Sequence, residues 1–318
     1  MRTTFICTIL NEENLILDFL RSLDNQSCIP DEAIFVDGGS TDSTYFIIKN
    51  YKFKYLNRNK VKVLKKEGNR SIGRNYAVKN SSGNIIACSD SGCILEKKWV
   101  ENITKPFLNK KVDVVAGYYK AAAKNVFERS LSAYVLVMPD KINPSTFLPS
   151  SRSMAFRKEI WNKAGGFPEK FSNNEDYVFS NSLKSIKAKI IFKKDAIVYW
   201  VPRKNIFQAF YMFYRFAKGD AESSMWRIKV FYIFIRYVMG IILFLLFIIN
   251  RSSEIIFIIL LSLIAYIYWS IKKNYKYVMK FSSFYIFPLL QIASDFAVIF
   301  GTIIGLVNLF KYKLVKTS

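Results

Sequence analysis

The sequence of 318 residues contains no histidine, and this absence narrows the chemistry that the chain can perform. Histidine is a common general base near neutral pH and a common zinc ligand, so histidine triads and histidine-based zinc sites are excluded. Proton transfer therefore depends on carboxylates or on lysine, tyrosine or cysteine. The four cysteines lack the spacing of a zinc knuckle, which predicts reduced, buried thiols at Cys7, Cys28, Cys88 and Cys93.

Negative charge is also scarce. The chain has 47 lysines and arginines against 24 acidic residues, a formal net charge of +23. Such a balance is typical of proteins that bind nucleic acid, an anionic membrane surface or a phosphate-rich ligand. The lysines are scattered and no nucleic-acid recognition motif accompanies them, so we expect a membrane partner and no nucleic acid.

Apolar residues dominate the chain beyond residue 231. Residues 231–249 and 255–271 each reach the roughly 17 residues that a helix needs to cross a bilayer. The lysines that follow the second segment predict a cytoplasmic side, and hence an integral protein of the cell membrane with its preceding domain in the cytoplasm. A last apolar stretch, residues 281–310, contains Pro288, Gln291 and Asp295 and leaves two alternatives open, a third span or a re-entrant or interfacial hairpin.

The first two hundred residues alternate strand and helix patterns, which predicts a doubly wound α/β sheet. Helices are expected at residues 12–23, 42–50, 71–79, 96–108 and 175–186, and the last strands at 188–192 and 197–201. The alternation is interrupted in the aromatic and proline-rich region 126–149. Residues 205–226 then mix aromatic and basic side chains, a composition typical of an interfacial helix and compatible with an ordinary core helix.

Carboxylates follow three of the predicted strands. Glu12 and Asp37 come after the first two strands and Asp90 after the strand near residue 88. Ligands bind at the carboxyl ends of strands in open α/β sheets, where short acids can accept hydrogen bonds from a base or a ribose. An ordinary strand-to-helix turn remains the alternative for the Asp37 segment.

Two further segments add candidate groups. Arg74 lies in a predicted helix and either faces phosphates or is a surface arginine. Asp90 favours an oxygen-liganded cation, Mg²⁺ or Mn²⁺, that bridges a diphosphate. Asp176, in the pair Glu175-Asp176, either acts as a general base or caps the helix that it opens.

Five motifs in this order resemble glycosyltransferase family 2, which has the GT-A fold. The resemblance covers about residues 3–220 and rests on Cys7-Thr-Ile-Leu-Asn-Glu-Glu13, Val36-Asp-Gly-Gly-Ser-Thr-Asp-Ser-Thr44, Gly73-Arg-Asn-Tyr-Ala77, Ser89-Asp-Ser-Gly-Cys93, and Gly165-Gly-Phe with Asn174-Glu-Asp176. It implies a GT-A-type doubly wound mixed sheet in a catalytic domain at 1–203. An amphipathic interfacial segment at 204–229 and a membrane domain of two or three hydrophobic segments at 230–318 are then expected.

The resemblance also implies roles for the site residues. Asp37, with Glu12 nearby, would hold the nucleoside of a sugar nucleotide. Asp90 would take the Asp-X-Asp position beside the metal and the diphosphate, and Asp176 would deprotonate the acceptor. Gly92 occupies the second acidic place of that motif, which puts metal ligation in question.

The expected activity is an inverting transfer of a sugar from a nucleotide-diphospho sugar to a lipid-linked saccharide or another membrane-borne acceptor. The cation and Arg74 would stabilise charge on the leaving group, and Asp176 would take the proton. One alternative is a polyprenyl-phosphate sugar synthase, whose ionised acceptor needs no base. The other is a non-catalytic membrane scaffold with a degenerate nucleotide-binding domain.

Overall fold

The computed structural model describes the backbone of residues 1–317 and the side chains as far as Lys311. The chain forms two compact units. Unit 1 comprises Met1–Ala122 and Leu136–Val201, and unit 2 comprises Ala123–Val135 and the chain from Pro202 onward. Residues 123–135, which the sequence-based division assigns to the domain 1–203, thus group with unit 2.

Unit 1 is built on one mixed sheet of eight strands among the described residues, in the order β3-β2-β1-β4-β7-β6-β8-β5. Strands β1, β2, β3 and β4 are parallel, and β7 is antiparallel to both β4 and β6. The strands are β1 Thr3–Ile9, β2 Glu32–Asp37, β3 Val61–Lys65, β4 Ile85–Cys88, β5 Cys93–Leu95, β6 Val114–Ala121, β7 Met154–Arg157 and β8 Ile190–Trp200.

Helices of six to eleven residues connect the strands of unit 1, and four longer helices follow the sheet. In chain order they are α1 Ile16–Asp24, α2 Thr44–Asn50, α3 Arg70–Lys79, α4 Trp99–Thr104, α5 Val126–Val135, α6 Lys158–Lys163, α7 Glu175–Ser185, α8 Ile206–Glu222, α9 Ile228–Asn250, α10 Ser253–Lys272 and α11 Ser283–Thr317.

Both faces of the sheet are covered by apolar side chains. On one face Phe5 contacts the rings of Phe35 and Trp99 at centroid separations of 6.2 and 6.0 Å. On the other face Phe156 of β7 packs on Phe179 of α7, with ring centroids 5.6 Å apart. Burial on two faces explains why the central parallel strands are almost wholly apolar in sequence.

Several element boundaries differ from the sequence-based expectations. Helix α1 begins at Ile16 because the carbonyl of Glu12 accepts the amides of Leu15 and Ile16 in a tight turn. The two strands expected at 188–192 and 197–201 form one strand, β8, whose register against β6 shifts after Gly117. Strand β5 and helix α5 were not expected, and Cys28 is exposed although the other three free cysteines are buried.

Unit 2 contains three described helices that are long and apolar enough to cross a membrane, judged by length and composition. They are Ile228–Asn250, Ser253–Tyr277 and Ser283–Lys311. The hairpin expected as one alternative for residues 281–310 is wrong, because α11 continues without interruption from Ser283 to Thr317. Of its apolar window 39% is buried, against 0% and 6% for the other two helices, so α11 packs on protein over more of its length than they do.

The closest packing in unit 2 joins α8 to α11. A Cβ atom added at Gly301 would lie 2.5 Å from the carbonyl oxygen of Tyr214, and one at Gly305 would lie 2.5 Å from that of Lys218. Two glycines four residues apart therefore allow the two backbones to approach closely, as in small-residue helix contacts of membrane proteins.

Asp295 is fully buried in the middle of α11. Its carboxylate pairs with Arg236 of α9 and accepts hydrogen bonds from the hydroxyl of Tyr266, at 2.6 Å, and the amide of Gln291, at 2.8 Å. These partners remove the cost of placing a carboxylate among apolar helices. Gln291 and Asp295 thus face protein.

We expect Gly305→Ala to lower the apparent Tm of the detergent-solubilised full-length chain, since overpacking a close contact costs about 1–3 kcal/mol. Gly240→Ala in α9 is the matched control, because a Cβ atom there meets nothing within 4 Å. The control should leave the Tm unchanged or raise it slightly through helix propensity. Equal shifts for the two variants would show that the α8–α11 contact is not tight.

Candidate active site

The carboxyl ends of β2, β1 and β4 lie side by side at one edge of the sheet, and the candidate acids follow them. Asp37 is the last residue of β2, is paired with Ile9 of β1 and is only 2% exposed. Both of its carboxylate oxygens lie 3.2 Å from the backbone nitrogen of Ser40. The turn therefore fixes the carboxylate at the start of the loop between β2 and α2.

The loop after β1 is fastened to the loop after β2. Asn11 adopts a left-handed conformation with φ of 52°, and its side-chain oxygen accepts the amide of Thr41 at 2.9 Å. The backbone nitrogen of Glu12 donates to the hydroxyl of Thr44 at 2.7 Å. These bonds hold the half-buried Glu12 on the same edge as Asp37.

Arg74 occupies the centre of the site. Helix α3 lies so close to β1 that a Cβ atom at Gly73 would come within 2.7 Å of Thr8, and the next residue, Arg74, is 1% exposed. One of its terminal nitrogens lies 2.8 Å from an oxygen of Asp90 and the other 2.8 Å from an oxygen of Glu175. The guanidinium thus joins the loop after β4 to the first turn of α7.

The charges of this group reinforce one another. Burial acts to raise the pKa of Asp90, but the positive charges of Arg74, Arg70 and Arg152 outweigh it and hold that pKa below its usual range. The pKa of the Arg74 guanidinium lies well above its ordinary value, because its two carboxylate partners outweigh the opposing effect of burial. Asp90 and Arg74 are accordingly charged at neutral pH.

Asp176, in the first turn of α7, is half-buried and held by neutral donors. One carboxylate oxygen accepts the hydroxyl of Ser150 at 2.9 Å and the amide of Ser151 at 3.4 Å, and the other lies 2.9 Å from the amide of Tyr177. Asn174, which directly precedes α7, has a positive φ of 59°, so the chain turns sharply into the helix. The carboxylate therefore keeps one orientation without a cationic partner in these bonds.

The residue after Arg74 fixes the glycine motif that leads to α7. The side chain of Asn75 donates to the carbonyl of Phe167 and accepts the amide of Phe167, both at 2.8 Å. Gly166, at φ of 76°, passes close to the same side chain. Two neighbouring residues of α3 thus position the segment that carries Glu175 and Asp176.

The structure brings Arg74, Asp90 and Glu175 into direct contact, while Asp37 and Glu12 lie at the ends of the adjacent strands. The surface position considered for Arg74 is wrong, because the side chain is buried between carboxylates. Sequence reasoning missed Ser150, Asn75 and the pairing of Glu175. Of these, only Asn75 could have been found from the sequence, because it follows Arg74 directly in the motif Gly73-Arg-Asn-Tyr-Ala77.

No group of three or more His, Cys, Asp or Glu residues that could hold a metal ion occurs in the described part of the chain. Asp90 supplies one carboxylate. One of its oxygens contacts Arg74, and the Asp90 side chain is 30% exposed. Mg²⁺ is usually held by one or two carboxylates together with substrate phosphates. The residues present therefore fit a cation shared with a diphosphate, not a cage made by protein alone.

The model of glycosyl transferase family 2 matches residues 4–167, just over half of the chain and the part that carries Glu12, Asp37, Arg74 and Asp90. The chain belongs to glycosyl transferase family 2. The resemblance seen in the sequence motifs is thereby confirmed at the level of the family.

Two curated relatives are glycosyltransferases from bacteria. The chain is 24% identical to the O-antigen chain rhamnosyltransferase RfbN of Salmonella typhimurium over 211 residues, which are 62% of this chain and 66% of that protein. It is 28% identical to glycosyltransferase GlyA of Streptococcus pneumoniae over 118 residues, 37% of this chain and 17% of that protein. The chain thus covers less than two thirds of either relative.

Among solved structures, the chain is similar to the mannosyltransferase PcManGT from Pyrobaculum calidifontis, determined in complex with GDP-Man and Mn²⁺. The similarity covers 100% of this chain and 81% of that one, with 15% sequence identity and a TM-score of 0.52. At this identity the likeness concerns the fold alone. Together with the mixed eight-stranded sheet and the apolar helices, it confirms the predicted α/β fold of GT-A type.

We expect Glu175→Gln to destabilise the chain, because it removes one partner of a buried charge. Breaking such a pair costs about 3–5 kcal/mol, which corresponds to a Tm lowered by about 10 °C for a unit of this size. Asp176→Asn is the matched control, since the neighbouring carboxylate is half-buried and bound by neutral donors. Thermal unfolding in detergent with similar shifts for both variants would contradict the structural role given to Glu175.

Proposed function

We propose that the protein transfers a sugar from a nucleotide-diphospho sugar to a lipid-borne acceptor, with inversion at the anomeric carbon. One observation carries this proposal. Asp37 and Asp90 lie on neighbouring carboxyl ends of the sheet, and Arg74 joins Asp90 to the helix turn that carries Asp176. Groups for a nucleoside, a diphosphate and an acceptor proton are thereby collected in unit 1, in the order that the family pattern implies.

On the donor side, Asp37 and Glu12 bind the nucleoside and Asp90 faces the diphosphate. The fixed carboxylate of Asp37 suits a base edge or a ribose hydroxyl, which donate hydrogen bonds. A Mg²⁺ or Mn²⁺ ion would be held by the oxygen of Asp90 that Arg74 leaves uncontacted, and would neutralise charge on the leaving phosphates. Arg74 serves this group by keeping Asp90 ionised and in place.

On the acceptor side, Asp176 removes the proton. The acceptor oxygen forms a bond to the anomeric carbon while the bond from that carbon to the phosphate oxygen breaks. The proton passes to Asp176, and the nucleoside diphosphate leaves with the electron pair. A single displacement of this kind inverts the anomeric centre, and the bonds from Ser150, Ser151 and Tyr177 keep the carboxylate oriented for it.

The three apolar helices of unit 2 support a membrane-borne acceptor. An enzyme anchored in a bilayer meets lipid-linked acceptors in two dimensions, and the exposed aromatic residues Phe207 and Tyr211 of α8 suit the headgroup layer. We place the protein in the cell membrane with its catalytic unit in the cytoplasm, since the lysines after α10 follow the positive-inside pattern.

We expect Asp176→Asn to lower turnover by about two to four orders of magnitude, because general base catalysis contributes that much. Binding of the sugar nucleotide and the Tm should change little, since the amide keeps the size and one acceptor oxygen. Steady-state transfer and isothermal titration on the same preparations measure both. Near-normal turnover would overturn the base assignment and favour an acceptor that is already ionised, such as a polyprenyl phosphate.

The membrane assignment is tested separately. The full-length chain should stay in the membrane pellet through high salt and alkaline carbonate and require detergent for extraction, because at least two helices cross the hydrocarbon core. Sedimentation followed by immunoblotting measures the distribution. Release by carbonate would exclude spanning helices and, with them, the main support for a lipid-borne acceptor.

A further inference from the structure

The position of the second acid of the Asp-X-Asp motif, which this chain lacks, is surrounded by open space. Gly92 stands where the family motif has an acidic residue, and a Cβ atom added there meets nothing within 4 Å. Its carbonyl accepts the amide of Val201 at 3.1 Å, and the next residue, Cys93, is paired with Trp200 at the end of β8. Any group that replaces the missing acid should therefore lie near Trp200.

Arg152 is that neighbour. Its guanidinium carbon lies 5.6 Å from the ring centre of Trp200 and 5.5 Å from that of Tyr119, and both rings are largely buried. The main chain at Arg152 is tied to both catalytic segments. Its carbonyl accepts the hydroxyl of Ser89 at 2.8 Å, and the preceding amide of Ser151 contacts Asp176. The Arg152 side chain therefore starts from a point on the main chain between the segments that carry Asp90 and Asp176.

The charge of Arg152 is not neutralised by an ion pair. Among the residues that the structure describes, no carboxylate lies within 4 Å of its guanidinium nitrogens, whereas Arg74 already contacts two. Arg152 nevertheless lies close enough to Asp90 to contribute to the lowered pKa of that carboxyl group. A half-buried cation held by two rings next to the diphosphate position has its hydrogen-bonding edge available for an anion.

We propose that Arg152 binds the diphosphate of the donor and takes up negative charge on the departing nucleoside diphosphate, on the side where Gly92 replaces the second acid. This inference rests on the proposed transfer from a nucleotide-diphospho sugar. It adds a cation of the protein itself to a site that has one carboxylate where the family motif has two. The protein therefore depends less on a metal ion for diphosphate binding than a site with two acids.

Arginine suits this task for physical reasons. Its guanidinium is planar, stays charged at any physiological pH and donates two parallel hydrogen bonds to a phosphate. The rings of Tyr119 and Trp200 limit its rotation, so little conformational entropy is lost when the anion binds. Because negative charge grows on the leaving group during transfer, the interaction strengthens in the transition state.

The test measures binding to the full-length protein in detergent by isothermal titration. UDP, GDP and dTDP are titrated with Mn²⁺ and with EDTA, alongside uridine, guanosine and thymidine. Arg152→Gln should weaken binding of the preferred diphosphate about 10- to 100-fold in EDTA, the range for a charge-assisted hydrogen bond. Binding of the matching nucleoside should stay unchanged, which also shows that the variant is folded, and Arg152→Lys should recover part of the loss.

Arg70→Gln is the matched control. It removes the same charge near Asp90, but Arg70 is exposed and screened by solvent, so we expect less than about a threefold change. Gly92→Asp restores the second acid in open space. It should pair with Arg152, weaken diphosphate binding in EDTA and make affinity depend more steeply on Mn²⁺.

The outcomes separate this inference from the proposed function. If the unaltered protein binds a nucleoside diphosphate and Arg152→Gln binds it equally well in EDTA, the role of Arg152 is overturned while the proposed function stands. Equal losses for Arg152→Gln and Arg70→Gln would also overturn it, because they would indicate a diffuse charge effect. If the unaltered protein binds none of the three diphosphates, the proposed function itself fails, and this inference with it.

Discussion

The burial of the Arg74 guanidinium between Asp90 and Glu175 is the interaction on which the rest of the site depends. A guanidinium removed from water is costly unless carboxylates surround it, so the loop after β4 and the start of α7 must both be in place when α3 packs on the sheet. Gly73 lets α3 approach β1 closely enough for this to occur. The packing of α3 on the sheet and the geometry of the site therefore depend on each other in this part of unit 1.

The two adjacent acids Glu175 and Asp176 have different partners in this arrangement. Glu175 is buried and charge-paired, so its role is to position the turn of α7. Asp176, one residue later, turns toward Ser150 and Ser151, and its hydrogen bonds come from a hydroxyl and backbone amides. The Glu175 carboxylate is occupied by the Arg74 guanidinium, whereas the Asp176 carboxylate is held by a serine hydroxyl and backbone amides. Two neighbours in the sequence thus lie in different surroundings, one bound to a buried cation and the other to neutral groups.

The sequence predicts the central strands well because they are continuous apolar runs buried on both faces. It also predicts that Asp37 and Asp90 lie at strand ends, because an acid directly after such a run can be recognised without knowledge of the fold. It does not predict the pairing of Arg74 with Glu175, which are separated by 101 residues. Strand β5 was missed because three residues carry too little pattern. Helix α5 was missed because it lies within the aromatic and proline-rich region 126–149, and its ten residues show the helical period of 3.6 residues only weakly.

Unit 2 also contains a buried charged group whose partners are distant in the sequence, here among apolar helices. The sequence marks Asp295 as costly inside a long apolar helix, but its partners Arg236 and Tyr266 lie 59 and 29 residues away in the chain. Because a carboxylate buried among apolar helices needs such partners, the packing of α11 depends on α9 and α10. The close glycine contacts with α8 add a fourth helix to this set. The apolar helices of unit 2 are consequently one interdependent assembly, although each reads in the sequence as a separate hydrophobic segment.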